Sequence, residues 1–385
     1  MGVADAGATE RGRLFTPAFT ALALATFLSV LPAGMLLPTV PLYAHSELGA
    51  GSLAVGVAVG ATSLTSFLTL PFVGRLGDRH GRKRFLLAGP LIIGVAAASL
   101  HFATTLVVLV AMRILSGVGE AMVAVSATTA AADLAPAHRR GEAISVFSLA
   151  FQGGVAVGPV LATELVRDDR FWLVWTAAAG SALAAAAVAS RVPETRPTRL
   201  QQGRAPLIVR AALAPGLILG LALVGYGGFS AFGVIYAREL GLGRVGLIFL
   251  LFATIMIGIR AFGRRIPDVL GTERCAAGAL ILIASGLVLI AGFGSLPGLF
   301  VGTALLAAGQ ALAFPALLSL AVRRTSPDER SSVVGTIAAG SQAAIGGGAI
   351  LLGAIASVTG YGTMFLAGAI AAICGLAILA RLRPG

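Results

Sequence analysis

Twelve apolar stretches follow one another through this chain, each close to 20 residues long and nearly free of charge. At 1.5 Å per residue, about 20 residues is the length of a helix crossing a ~30 Å hydrocarbon layer. Of the 385 residues, 57% are hydrophobic and 11% charged, too few polar groups to clothe a soluble globule of this size. The chain is therefore expected to be an all-α integral membrane protein with lipid as the solvent for most of its surface. Spans are expected near 14–43, 51–73, 85–103, 105–130, 143–165, 171–190, 213–237, 244–262, 275–294, 296–322, 333–357 and 362–380. The first, Leu14 to Tyr43, exceeds a signal-peptide apolar core and precedes no small-residue cleavage site, so it is read as a retained helix.

The net charge of +12 could point to nucleic acid, but the basic residues gather in short loops between spans, the usual signature of membrane orientation. Alternate loops hold twenty-three of them on one side, including Arg75, Arg79, Arg84, Arg196 and Arg264, against Arg167, Arg170, Arg238 and Arg244 on the other. That bias puts both termini in the cytoplasm of a multi-pass protein, with a bacterial inner membrane expected. Arg113 remains as the one basic residue expected inside a span. Cys275 and Cys374 form no disulfide framework or metal pattern, and no metal or other cofactor is expected.

The longest polar break, Arg191 to Arg210, carries Pro193, Pro197, Gly203 and Pro206 and divides the spans six and six. Residues 1–190 and 211–385 are expected to form two pseudo-symmetric six-helix bundles joined by a cytoplasmic linker, 191–210. The halves match at one offset: Asp78 with Asp268, Gly81 with Gly271, Glu120 with Gln310, Gln152 with Gln342, and Gly158 with Gly348. Two such bundles can rock around a midplane site and expose it to each side in turn.

Between spans 2 and 3 stands Gly74-Arg-Leu-Gly-Asp78-Arg79-His-Gly81-Arg82-Lys83-Arg84. Glycines there permit a tight turn, and Asp78 can accept from a neighbouring helix N-terminus. The run matches motif A of the major facilitator superfamily, and with the twelve spans and the repeat the resemblance covers the whole chain. It implies a secondary transporter in which Asp78, Arg79 and Arg82 latch the halves on the cytoplasmic side. The second copy keeps Asp268 and Gly271 but loses the first glycine and the basic run. After span 4, Asp133 to Glu142 resembles the family's loop 4–5 signature, and its charges are either salt-bridged to the motif A loop or simply solvated.

Span 4 carries Arg113 and Glu120, seven residues apart and so two turns along one helix face. The surrounding run resembles motif B of proton-coupled members. Ionisable groups at such depth mark cavities or proton paths, though a structural ion pair is the competing reading. All four histidines are expected in loops, which leaves Glu120 as the deep carboxylate available to carry a proton. Glu164, near the far end of span 5, is either a second proton site or an interfacial charge beside Arg167 and Arg170. Span 5 reads Gln152-Gly153-Gly154-Val-Ala-Val-Gly158-Pro159, which resembles the centre of motif C of the drug/proton antiporter branch, with Ser145 and Ala162 in place of its outer glycines. Gly154 and Gly158 would let another helix approach closely, and Pro159 removes a backbone donor.

The resemblance implies a cavity lined by spans 1, 4, 7 and 10. Its candidate contacts are Arg113, Glu120, Gln152, Tyr226, Phe229, Tyr236, Gln310, Phe314 and Gln342, with packing or lipid contact the alternative for the aromatics. Trp172 and Trp175 look like interfacial anchors. No zinc-protease helix motif or serine nucleophile elbow occurs, and the lone lysine, Lys83, lacks the glycine frame of a phosphate-binding loop. The expectation is a non-enzymatic, monomeric transporter whose partners are protons, the bilayer and a small-molecule substrate. Proton-coupled efflux of small amphipathic molecules is the first reading, and uptake of a sugar or organic acid by symport or uniport the alternative. One charge crossing 100 mV supplies about 2.3 kcal/mol, enough for a roughly fifty-fold gradient.

Overall fold

The computed structural model describes residues 15–136, 139–166, 169–195, 210–263, 269–323, 325 and 330–382. These form twelve α-helices: α1 (Pro17–Ser46), α2 (Ser52–His80), α3 (Arg82–Ser99), α4 (Leu106–Leu134), α5 (Arg140–Leu165), α6 (Phe171–Ala189), α7 (Arg210–Glu239), α8 (Gly246–Phe262), α9 (Thr272–Phe293), α10 (Leu296–Arg323), α11 (Arg330–Thr359) and α12 (Tyr361–Arg381). Eleven are long and apolar enough to cross a membrane, while α8 is shorter at 17 residues, or about 25 Å. Most of the expected linker, residues 196–209, lies outside the described part of the chain.

Local sequence sets several helix starts. Thr16 precedes Pro17 at the first turn of α1 and its hydroxyl accepts from the Phe19 amide at 3.2 Å, which satisfies one orphan donor. Thr105 does the same for α4 through the Val108 amide at 3.4 Å. Because the crossings alternate, the start of α1, the α2–α3 corner and the end of α12 share one face, called here the termini face.

Helices α1–α6 pack among themselves, as do α7–α12, and the halves meet mainly along α2 with α11 and α5 with α8. These two seams are equivalent under the repeat. The repeat also extends to atomic contacts. A Cβ on Gly119 would meet the side chain and amide of Ile93, and one on Gly309 would meet the same atoms of Ile283. Gly158 lies on the backbone of Gly34 and Gly348 on that of Val224, again 190 residues on (348 − 158).

The close interhalf approaches made by glycines lie toward the face opposite the termini. Gly60 abuts Gly346, Gly353 abuts Ser52, and Gly246 abuts Thr163. Gly335 lies on the same stripe of α11 as Gly346, about three turns nearer the termini face, and has open space around it. The halves are thus joined at the opposite face and parted along α11 toward the termini.

Candidate functional site

The run from Gly74 to Arg84 is helical except at Gly81: α2 continues through His80 and α3 begins at Arg82. The expected tight turn is therefore one residue. Gly81 has φ 88°, a value that favours glycine, and Gly271 repeats it at 81° before α9. Glu194, just past α6, docks on this corner: its Oε1 accepts from the Arg82 amide at 2.8 Å and the Lys83 amide at 3.4 Å. A carboxylate on the first free amides of a helix is favoured by hydrogen bonding and by the helix dipole.

Arg82 is buried, pairs with Asp133 at the end of α4 and donates to the Thr129 carbonyl at 3.4 Å. Of the two readings of the 133–142 stretch, Asp133 takes the salt bridge to the motif, whereas Glu142 pairs with its neighbour Arg139 at 2.8 Å on the surface. Arg79 is exposed and Gly74 has no close neighbour. The side chain of Asp78, and the whole of Asp268 with Arg264, lie outside the described residues.

Gly154 and Gly158 bring α5 onto α1. A Cβ at Gly158 would meet Gly34 Cα at 2.6 Å, and one at Gly154 would meet the Phe27 carbonyl at 2.8 Å. No side chain larger than hydrogen fits at that separation. Pro159 is buried inside an α5 that runs unbroken to Leu165.

On α4, Arg113 and Glu120 lie about 10 Å apart along the axis. Arg113 is 6% exposed, and its Nε and Nη1 have no hydrogen-bond partner. Glu120 is half-buried. Two α2 hydroxyls clamp the same helix, Thr62 donating to the Arg113 carbonyl at 3.1 Å and Ser66 to the Gly117 carbonyl at 3.0 Å. The repeat equivalent of Glu120 behaves differently: Gln310 is buried and its amide donates to the Ala222 carbonyl of α7 at 3.0 Å. An uncharged group thus ties α10 to α7 where the first half keeps a titratable one.

The aromatic candidates divide. Tyr226 packs on Phe252 of α8 at 5.4 Å and is half-buried. Phe229 is fully buried between Phe249 and Phe252, and the Tyr236 hydroxyl donates to the Ile290 carbonyl at 3.2 Å while its ring meets Tyr361 and Phe365. In this arrangement those two are core residues. Phe314, Gln152 and Gln342 are half-buried.

Three sequence expectations are corrected. Arg113 is not alone inside a span, because Arg260 lies within α8 and its buried Nε has no partner. His45 belongs to the last turn of α1 and His80 to that of α2, and neither lies in a loop. Trp172 is exposed as an anchor would be, but Trp175 is 2% exposed, meeting Tyr43 edge-on at 5.6 Å and stacking on Phe171 at 6.2 Å. Hydropathy carries no signal that separates Trp172 from Trp175, since they differ in which side of the helix another helix covers.

Glu164 is exposed at the opposite face, where it lines a cavity of about 580 Å³ between α1, α5, α7 and α8. It lies near the far end of α5, at the opposite face, whereas Glu120 lies near the middle of α4.

Comparison with known proteins agrees with this architecture. The profile described as Major Facilitator Superfamily matches residues 22–284 and 245–385. An uncharacterized MFS-type transporter of Salmonella typhimurium is 27% identical over 368 residues, covering 93% of this chain and 94% of that one. Another, from Burkholderia pseudomallei, is 27% identical, with coverages of 92% and 89%. The solved human organic anion transporter MFSD10 (TETRAN) superposes with a TM-score of 0.70 at 22% identity, over 94% of this chain and 99% of that one. A POT family transporter in complex with a thioalcohol conjugated peptide gives 0.81 at 13% identity, with coverages of 94% and 95%. These likenesses extend over both six-helix halves. The chain belongs to the Major Facilitator Superfamily and is a multi-pass membrane transporter.

Proposed function

We propose that this transporter is a proton-coupled exporter of small amphipathic organic molecules, with Glu120 as the carboxylate that takes up and releases the proton. The observation that carries the reading is the α4 pair. Arg113 is buried with two guanidinium nitrogens unpaired, two turns from a half-buried Glu120, while the equivalent position in the second half is a bonded glutamine. A buried cation whose nitrogens are not all hydrogen-bonded is costly in a membrane interior, so a group that changes its charge nearby changes the balance between conformations. In this reading both termini and the 191–210 linker are cytoplasmic, and the protein works as a monomer. Asp78 and Arg79, with Asp268 in the second copy, latch the cytoplasmic side, and Arg82 positions the corner through Asp133.

The test is Glu120→Gln in proteoliposomes with an imposed pH step, screened against a panel of amphipathic compounds. Shape and hydrogen bonding are kept but titration is lost, so gradient-driven accumulation is expected to vanish while downhill exchange partly remains. Accumulation that persists in Glu120→Gln overturns the carrier assignment.

A second reading, uptake of an organic acid by symport, is favoured by the same Arg113. A substrate carboxylate fits its free N–H groups, and like-charge repulsion would favour a protonated Glu120 at that moment, so acid and proton would travel together. The direction of flux in the same vesicles separates the two readings.

A further inference from the structure

The two interhalf seams are equivalent under the repeat but are built differently at the opposite face. Along α2 and α11 the seal is backbone on backbone, with Gly56 on Ala349, Gly60 on Gly346 and Gly353 on Ser52. Along α5 and α8 the helices touch at Thr163 and Gly246, and the space around that contact is the cavity of about 580 Å³. Thr39 and Leu42 of α1, Val160 and Glu164 of α5, and Arg244 of the α7–α8 turn line it. An ion pair that joins the halves crosses its rim, Arg238 Nη2 to Asp169 Oδ1 at 3.5 Å. Beside it His45 of α1 and Glu239 of α7 line a second, smaller cavity together with Arg238, again one from each half.

Asp169 has φ 57°, the only left-handed non-glycine residue among those described. Aspartate is one of the few residues that tolerate this region, and strained backbone gathers where a site fixes a side chain in place. Both partners are about half exposed, Arg238 at 42% and Asp169 at 60% of the side chain. Such an exposed pair is weak, which suits a contact that must break in every cycle.

We infer that the cavity between α1, α5, α7 and α8 is the opposite-face mouth of the translocation path, and that Asp169 and Arg238 form the latch that holds it shut. The inference rests on alternating access by the two halves and not on the proton-carrier role of Glu120. Its test therefore needs no substrate and no gradient, and it can fail or succeed independently of the Glu120→Gln experiment.

The test uses purified protein in nanodiscs with Cys275→Ala and Cys374→Ala, so that a single introduced cysteine reports. Thr39→Cys is the reporter, since Thr39 lines the cavity yet is 0% exposed. Its maleimide labelling rate is expected to rise roughly two- to fivefold when Asp169→Asn or Arg238→Gln is added, in keeping with the worth of an exposed pair. Asparagine keeps the left-handed backbone available, so the first change removes charge without new strain. The double variant should label no faster than the faster single one, because both changes remove one interaction. Leu100→Cys, 1% exposed near the same face but within the first half, should stay unlabelled throughout. Unchanged Thr39→Cys labelling in both single variants, additive effects in the double, or a parallel rise at Leu100→Cys each overturns the latch. Should Asp169→Asn not fold, unchanged labelling in Arg238→Gln alone overturns it.

Discussion

At the residue scale, the α2–α3 corner separates strain from contact. Gly81 and Gly271 share a backbone that other residues adopt at a cost of about 1–3 kcal/mol. A Cβ on Gly81 would in addition strike the Glu194 carboxylate, whereas Gly271 has open space. Gly81→Ala is therefore expected to lower the thermal midpoint more than Gly271→Ala does, and Glu194→Gln should narrow the gap by weakening the docked carboxylate. Equal losses in differential scanning fluorimetry would refute the contact. The glycine was legible in the sequence because its motif repeats at a fixed spacing. Glu194 was not, since it lies more than a hundred residues away (194 − 81) in a stretch whose prolines suggest only a linker. Arg82 was legible as a basic motif residue, but its burial against Asp133 was one of two open readings. Arg260 was passed over because a basic residue two positions from a span's end looks like a solvated loop charge until the covering helices are in place.

At the element scale, all twelve helices were legible, because lipid demands that every backbone polar group be satisfied inside an apolar segment of fixed length. Their ends were less so, and α2 and α11 run several residues beyond their apolar stretches into polar sequence. Helix pairing followed from small residues: Gly158 against Gly34 sets α5 on α1, and Gly348 against Val224 repeats the contact between α11 and α7. Gly158→Val and Gly348→Val are expected to destabilise by about 1–3 kcal/mol each, the usual cost of overpacking, with the backbone opposite unable to yield. Gly180, in the middle of α6, has nothing near it, so Gly180→Ala should be neutral or should stabilise by up to about 1 kcal/mol. Thermal unfolding in one detergent ranks the three, and a destabilised Gly180→Ala would mean that an exposed face of α6 is covered by something the contacts do not reveal. The aromatics show the limit of this reasoning. Tyr226, Phe229 and Tyr236 share α7 at helical spacing, yet two are sealed in the core because α8 and α12 cover them.

For the whole molecule, the two-bundle architecture was legible from the repeat, but the conformation was not, because the repeat makes the two faces alike. What distinguishes them is where the halves touch. Gly335, Gln342, Gly346 and Ala349 follow nearly one stripe of α11, facing α2 at its opposite-face end. Ala349 is fully buried there, Gln342 is half-buried, and Gly335 is open. Cysteines placed singly at these three positions, with the native cysteines removed, are expected to label fast at 335, more slowly at 342 and least at 349. The order follows from geometry, since a reagent entering from the termini face meets the stripe in that sequence and stops where α2 closes on it. In inside-out vesicles an impermeant maleimide should reach 335, and in intact cells it should not, if the termini face is cytoplasmic as proposed from the basic loops. The reverse order along α11 would mean that the resting protein opens to the other face, and fast labelling of 335 in intact cells would mean that the chain is inserted the other way round.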